Sequence, residues 1–426
     1  MNLHPHPAGQ SAQVRRLPVQ RSLRAGRLAD RQPPGEAGSA IVVAPPRYAL
    51  AHALTRSLGK PLVSGNRVEL LCGGEAAWAS LFGAIERARE HINLESPAFV
   101  APALAASLAQ RLIGRADAGV RVNLLLDGSR TGAARDTALL RQSGIGVCPS
   151  RWLARAQALL GLAAQPHPKR SLIVIDGRVA FLGGLAPPRS PDGGSCLRVE
   201  GPAVALLQDL FIARWRHESG VAPPQARYFP TLSARGTQRA GLAACDAGWH
   251  ARPLRSALLA AIDAAQCSVL IGGAPARTVA QALMRAAERG VEVQVLLPPT
   301  AERSDEPAER ARHDALLRSG ARLHRRRLAP RHADTCVIDG VWATAGGGLD
   351  FDGGRHGAEL ALIVLDGEFA AGIERLLRDD IAVCRELTAS DAKASPAEGG
   401  PAGDLRPSNA WRRGRQWLSE RLHARR

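Results

Sequence analysis

The chain of 426 residues contains one series of segments twice, and this repeat constrains its fold more than any other feature. Corresponding segments follow in the same order, 163 to 177 residues apart. The clearest pairs are SLFGAIERAREHINLE with ALLAAIDAAQCSVLIG, AGVRVNLLLDG with RGVEVQVLLPP, and LIVIDGRVAFLGG with TCVIDGVWATAGGG. Two copies of one unit predict a duplicated fold rather than a solenoid, which usually needs three or more repeats.

Each copy alternates amphipathic helical segments with short apolar segments, a pattern typical of βαβ units with largely buried strands. An Asp-Gly pair then interrupts two apolar runs, which predicts a β-hairpin. Another helical segment closes the copy. The sequence therefore predicts an α/β fold of two tandem α-β-α sandwich halves, each a mixed sheet flanked by helices, packed in pseudo-two-fold fashion.

Composition along the chain predicts the limits of these halves. They are expected at residues 61–225 and 226–388, after a Pro-, Gly- and Arg-rich segment, 1–60, that is predicted to be disordered or poorly ordered. Residues 389–408 have the composition of a linker. Residues 409–426 are basic and can form an amphipathic helix, which would suit either a membrane interface or a solvated helix packed on the domain.

The charge balance favours anionic partners. There are 56 basic and 39 acidic residues, a net charge of +17, which suits phospholipid surfaces, nucleic acid or phosphorylated substrates, or a basic surface without a specific partner. Seven widely spaced cysteines without a C-x-x-C argue against a disulfide framework or zinc site. No apolar run approaches the ~20 residues that span a bilayer. We expect a cytoplasmic protein that can contact a membrane but does not cross it.

The paired V-I-D-G-x-x-A-x-x-G-G blocks and the flanking LRVEGPAV resemble the phospholipase D superfamily. The similarity runs from about Pro61 to Thr388 and is closest to bacterial cardiolipin synthases without transmembrane helices. In that family each half carries H-x-K-x-x-x-x-D, followed by an Asn in a Gly/Ser-rich turn, and the two halves form one site. The resemblance implies phosphatidyl transfer without a metal or other cofactor, with phosphatidylglycerol or cardiolipin and a membrane surface as partners. It identifies no protein partner.

The family chemistry explains the residue types. One histidine attacks the phosphodiester and becomes a phosphohistidine, and the histidine of the other half protonates the leaving alcohol. Lysine and asparagine hold the phosphate oxygens on which charge develops.

The second half keeps only part of this motif. His332 and Asp339 have the required spacing of seven residues, but Asp334 occupies the lysine position. This replaces a phosphate-binding cation with an anion. The turn that follows, residues 346–350, reads GGGLD and lacks the expected Ser and Asn.

The first half allows two alignments. Counting back from Asp176 without a gap places Lys169 at the histidine position and Ser171 at the lysine position. If residues 170–171 are an insertion, His167 and Lys169 form the H-x-K pair, with Lys169 binding phosphate, and a β-bulge would have to absorb the extra residues. In both alignments the Asn position holds Ala186.

Two acidic residues match positions that support the site in the family. Glu95 ends the first apolar strand, and Glu359 stands before the last strand of the second half. Glu359 would equally suit an ordinary strand edge. Asp176 and Asp339 take the aspartate positions of the catalytic motif, and both are also good turn formers because each precedes glycine.

Three functions remain after the sequence is read. The chain could be a phosphatidyltransferase of the cardiolipin synthase type with weak or lost catalysis, or a non-catalytic protein that binds anionic phospholipid and regulates another enzyme. A nucleic-acid-binding or nuclease-like member is the third possibility, because phosphodiester chemistry and a basic surface also suit DNA.

Overall fold

The described strands form a single mixed sheet of fifteen strands, with helices on its faces. The computed structural model describes residues 46–58, 62–72, 74–96, 102–127, 134–150, 171–183, 195–221, 228–245, 253–298, 307–326, 335–346 and 359–388. The linker and the amphipathic helix predicted beyond residue 388 lie outside these ranges.

The first half supplies seven of the described strands. They are β1 (Val63–Cys72), β2 (His91–Ser96), β3 (Arg121–Asp127), β4 (Gly146–Ser150), β5 (Ser171–Ile175), β6 (Val179–Gly183) and β7 (Ser195–Glu200). The helices in this part of the chain are α1 (Pro46–Leu58), α2 (Gly74–Glu86), α3 (Pro102–Asp117), α4 (Ala134–Gln142) and α5 (Ala203–Ser219).

The second half supplies the other eight described strands. They are β8 (Gln238–Cys245), β9 (Ser268–Gly272), β10 (Glu292–Leu297), β11 (Arg322–Arg325), β12 (Thr335–Ile338), β13 (Trp342–Gly346), β14 (Glu359–Leu365) and β15 (Arg385–Glu386). Its helices are α6 (Pro253–Ala264), α7 (Arg277–Glu288), α8 (Pro307–Arg318) and α9 (Gly367–Ala382).

The strand order is the same in both halves, read outward from the centre. From β1 it runs β7-β6-β5-β2-β3-β4, and from β8 it runs β14-β13-β12-β9-β10-β11, followed by β15. The three outer strands of each copy are parallel, and the strands nearer the centre are antiparallel. The predicted α/β fold class, with two halves that each contain a mixed sheet, is confirmed.

Three hydrophobic clusters divide the helices among the sheet faces. One cluster packs α2 and α3 on the outer strands of the first half, and another packs α6 and α7 on those of the second half. The third cluster joins residues from both halves of the sheet with α5 and α9. This shared core is why the two halves form one body rather than two independent domains.

Helix α1 differs from the prediction of disorder for residues 1–60. Residues 46–58 are helical, and Leu50 and Leu54 are fully buried in the cluster that contains α6. The reason is long-range packing, since a segment with a weak local pattern gains its stability from a hydrophobic surface supplied by the second half. The residues before 46 lie outside the described ranges.

A buried amide joins the two halves at the centre of the sheet. Strands β1 and β8 pair across an irregular register, and the Asn66 side chain replaces regular ladder bonds there. Its Nδ2 donates to the carbonyls of Val63 (2.7 Å) and Gln238 (3.2 Å), and its Oδ1 accepts from the N–H of Ala203 at 2.7 Å. Asn66 therefore ties β1 to β8 and also caps the start of α5.

Replacing Asn66 with alanine should destabilise the whole fold. The change removes three hydrogen bonds from a fully buried side chain, and we expect a loss of about 2–4 kcal/mol in the free energy of unfolding. Urea unfolding followed by circular dichroism measures it. The exposed Gln266→Ala variant is the control and should change stability by less than about 0.5 kcal/mol. Equal stability of both variants would contradict this role for Asn66.

Candidate functional site

The structure describes three of the seven predicted site residues in full. Asp176, Asp339 and Glu95 have described side chains, and for Glu359 the structure describes only its position at the start of β14. The remaining three, His167, Lys169 and His332, lie outside the described residues. They precede β5 and β12, the two motif strands.

Each motif strand ends in a tight turn of left-handed backbone. Asp176 and Gly177 have φ angles of 53° and 61°, and Asp339 and Gly340 have 51° and 62°. Positive φ at both central residues defines a type I′ turn, which matches the twist of a β-hairpin. A Cβ on Gly177 would lie 2.5 Å from the carbonyl oxygen of Tyr228, so only glycine fits there.

The carboxylate of Asp176 holds the turn against the start of β2. It accepts hydrogen bonds from the backbone N–H groups of Arg89 (2.9 Å), Glu90 (2.8 Å) and His91 (2.9 Å). The N–H of Asp176 in turn donates to the carbonyl of His91 at 2.9 Å. One side chain thus satisfies three N–H groups that the end of α2 and the start of β2 would leave unpaired.

Asp339 makes the same arrangement in the second half. Its carboxylate accepts from the N–H groups of Gln266 (3.0 Å), Cys267 (2.8 Å) and Ser268 (3.0 Å), and its own N–H donates to the carbonyl of Ser268 at 2.9 Å. We call each arrangement an aspartate clamp. The clamp fixes the hairpin that contains the motif strand to the neighbouring strand.

The position of the clamps separates these aspartates from the rest of the motif. Asp176 lies beyond the C-terminal end of β5, about 16 Å along the strand from Ser171, while the H-x-K residues precede Ser171 in the sequence. Both carboxylates are already engaged by backbone N–H groups. This geometry supports the turn-forming role that the sequence allowed for Asp176 and Asp339.

Glu95 lies at the other end of the first motif strand. It is buried near the end of β2, opposite Leu172 of β5, and it forms an ion pair with Arg214 of α5. Arg214 is also largely shielded from solvent. Removing one partner of such a pair would leave a buried charge uncompensated. The pair fixes α5 near the start of β5.

A buried polar cluster lies on the same face of β2 as Glu95, and the sequence reading missed it. The Nε2–H of His91 donates to Gln208 Oε1 of α5 at 3.3 Å, and the His91 ring lies 4.6 Å from that of Tyr228. Asn123 Nδ2 donates to Asn93 Oδ1 at 2.8 Å and to the Tyr228 hydroxyl at 3.2 Å. The signal was visible as alternating polar residues in the strand HINLE.

Burial controls the protonation of His91. Loss of solvent around the ring lowers its pKa, and Arg121 lowers it further, against the opposing effects of Gln208, Asp176 and Glu90. The imidazole is therefore neutral in the folded protein at neutral pH. Its Nδ1 is buried without a hydrogen-bond partner among the described residues, so a proton there would be poorly compensated.

The described residues provide no evident metal site. Within the ranges given above, no three His, Cys, Asp or Glu side chains are grouped as ligands for an ion. The described cysteines are free thiols: Cys72, Cys148, Cys196, Cys267, Cys336 and Cys384. In the same part of the chain, no helix is both long and apolar enough to cross a membrane.

Comparison with known proteins identifies relatives of both sequence and fold. The family described as "Cardiolipin synthase, PLD-like domain" matches residues 258–381. Cardiolipin synthase A of Pseudomonas putida (strain GB-1) is 28% identical over 375 residues, covering 81% of this chain and 75% of the relative. Cardiolipin synthase A of Pseudomonas aeruginosa (strain LESB58) is 29% identical over 362 residues, covering 80% and 72%.

A solved structure shares the fold. Phosphatidylserine synthase of Haemophilus influenzae Rd KW20 aligns with a TM-score of 0.54 at 12% identity, covering 88% of this chain and 98% of that one. The similarity extends over both halves, so the two-half architecture described here also occurs in an experimentally determined structure.

Substitutions at the clamps should reduce stability. Asp176→Ala or Asp339→Ala removes three acceptor contacts and places a less tolerant residue at positive φ, so we expect a loss of about 2–4 kcal/mol. Asparagine keeps one carboxamide oxygen and tolerates this backbone, so Asp→Asn should cost about half as much. Urea unfolding measures both changes. The exposed Asp379→Ala variant is the control, and unchanged midpoints for the clamp variants would contradict their structural role.

Acidification should destabilise the protein through His91. The unfolded chain binds a proton at this residue near pH 6.5, but the folded protein resists protonation because the pKa is lowered. The stability contributed by the neutral ring is therefore complete above about pH 6.5 and is lost as the pH falls towards the lowered pKa.

Urea unfolding between pH 7.5 and 5 should show a smaller decline for His91→Gln than for the wild type. The exposed His217→Gln variant should keep the wild-type decline, and the other buried histidines affect all three proteins equally. Parallel curves for wild type and His91→Gln would show that His91 does not titrate in this way.

Proposed function

Because this chain is a phospholipase D-like protein whose residues 258–381 match the cardiolipin synthase family, we propose that it is a phosphatidyltransferase of the cardiolipin synthase type with weak or lost catalysis. Its substrate is an anionic phospholipid such as phosphatidylglycerol. The proposal is carried by one observation, that the matched region includes His332 and Asp339 at the family spacing of seven residues.

The proposed reaction proceeds through two displacements at phosphorus. A histidine nitrogen forms a bond to the phosphorus of one phosphatidylglycerol, and the bond to the leaving glycerol oxygen breaks as the other histidine supplies a proton. A hydroxyl of a second phosphatidylglycerol then displaces the histidine and gives up its proton. We assign these histidine roles to His332 and His167, with Lys169 binding the phosphate oxygens.

The changes in the motif support slow turnover. Asp334 presents an anion where the family holds a phosphate-binding lysine, and a charge at ~4 Å is worth about 4 kcal/mol at an effective dielectric constant near 20. Ala186 and the GGGLD turn lack the asparagines of the family. Loss of one such donor commonly reduces a rate by about 10²–10³.

A second candidate function is lipid binding without catalysis. It is favoured by the contrast between the altered motif residues and the aspartate clamps, which keep both motif hairpins in place. Such a protein would still bind anionic phospholipid at the cytoplasmic face of the membrane. In either case we assign residues 409–426 to the membrane surface, because their basic and Trp-containing sequence suits it.

Conversion of phosphatidylglycerol to cardiolipin by the purified protein tests the proposal. We expect slow turnover that His332→Ala abolishes, while the exposed His217→Ala control keeps the wild-type rate. Asp334→Lys rebuilds H-x-K in the second half and should raise the rate by about 10²-fold.

The outcomes separate the candidates. Turnover that Asp334→Lys leaves unchanged would contradict the explanation of slow catalysis. No turnover in either protein, with binding to anionic vesicles retained, would establish the non-catalytic function. Salt-sensitive DNA binding without vesicle binding would reject both in favour of a nucleic-acid function.

A further inference from the structure

Four exposed arginines surround the aspartate clamp of the first half. Arg89 donates its backbone N–H to Asp176, and Arg87 lies two residues earlier at the end of α2. The N–H of Arg121 donates to the carbonyl of Glu90 at 3.1 Å, and Arg178 lies in the turn itself. These contacts bring the backbones of the four residues to the end of the sheet where β2 and β3 begin, and the Arg87 side chain extends back along α2 towards Gly83. We call Arg87, Arg89, Arg121 and Arg178 the arginine patch.

The charges of the arginine patch are not neutralised by neighbouring side chains. Within the described ranges, none of the four guanidinium groups has a hydrogen bond or ion pair. Glu90 is the exposed acid among them, and the Asp176 carboxylate is occupied by backbone N–H groups. Positive charge therefore exceeds negative charge on the solvent-exposed surface at this end of the sheet.

The second half shows that the fold does not require these arginines. Its clamp has the same backbone hydrogen bonds around Asp339. The positions equivalent to the four arginines, in the same order, are Ala264, Gln266, Glu292 and Val341.

Some other arginines make matching contacts in both halves, from positions three residues apart in the aligned repeat. Arg115 donates to the carbonyl of Ala88, and Arg289 donates to the carbonyl of Ile262, each closing the end of a helix. The ion pair between Arg111 and Glu86 likewise has a counterpart between Arg285 and Asp263. Arginines with structural roles thus occur in both halves, whereas the arginine patch occurs in one.

We infer that the arginine patch docks the protein on an anionic phospholipid surface. Guanidinium groups bind phosphate with paired hydrogen bonds, and exposed cations gain affinity from the negative potential of such a membrane. Phe229 adds an apolar side chain at the same end of the sheet, since it is partly exposed and follows Tyr228, which packs against Gly177.

The choice of a membrane as partner rests on the proposed function, in which the protein works on phospholipid. The patch surrounds the clamp at the end of β5 opposite to Ser171, so it is assigned to docking and not to substrate binding. Nucleic acid is the less suitable partner, because single strands are usually held by several stacked aromatic side chains. Phe229 is the only exposed aromatic side chain beside these arginines in the described part of the chain.

Vesicle binding by the full chain tests the inference. Vesicles of phosphatidylcholine with and without phosphatidylglycerol are mixed with wild type, with Arg89→Gln/Arg178→Gln, and with Arg277→Gln/Arg375→Gln. The last variant removes two exposed charges from the second half. At about 1 kcal/mol per arginine, we expect the patch variant to bind anionic vesicles about 25-fold more weakly. The control should stay within about twofold of wild type.

Equal binding of wild type and the patch variant would overturn the inference, as would equal losses in both variants. A patch variant that loses DNA binding but keeps vesicle binding would assign the patch to nucleic acid instead. The test is independent of turnover. Arginine-dependent vesicle binding without any cardiolipin formation would keep the patch and remove the catalytic proposal. Cardiolipin formation in detergent, together with vesicle binding that does not depend on the arginines, would keep the catalytic proposal and remove the patch.

Discussion

One carboxylate that accepts three backbone N–H groups determines how each motif strand is held. In both halves an aspartate in left-handed backbone connects the hairpin of the motif strand to the start of its neighbour. The turn could form with glycine and asparagine, but those residues would not satisfy three converging donors. The pairing of β5 with β2 and of β12 with β9 therefore depends on Asp176 and Asp339.

This constraint gives the two aspartates a role that does not depend on catalysis. The aspartates have a structural role at the far end of the strand, so their loss would affect folding whether or not the protein turns over substrate. Under the proposed function, Asp334 and Ala186 stand where the family binds phosphate with lysine and asparagine.

The differences between the halves carry the functional information. The first half contains the buried cluster of His91 and Gln208, the ion pair of Glu95 with Arg214, and the arginine patch. The second half places Ser268 and Gly272 at the positions of His91 and Glu95, and Asp380 of α9 pairs with Arg326. Since both halves share one strand order, that order does not require the polar contacts that occur in only one of them.

The sequence by itself determined the α/β class, the two halves and the Asp-Gly hairpins, because these depend on local periodicity and turn chemistry that recur at nearly constant spacing. Only the tertiary structure showed that α1 packs on the second half, that Asn66 joins the halves, and that the three N–H groups before β2 meet on one carboxylate. These features join residues as far apart in the chain as Asn66 and Gln238, and no local pattern records which distant groups will meet. The arginine patch is also a feature of the tertiary structure, since its four residues come from three separate segments that meet only at one end of the folded sheet.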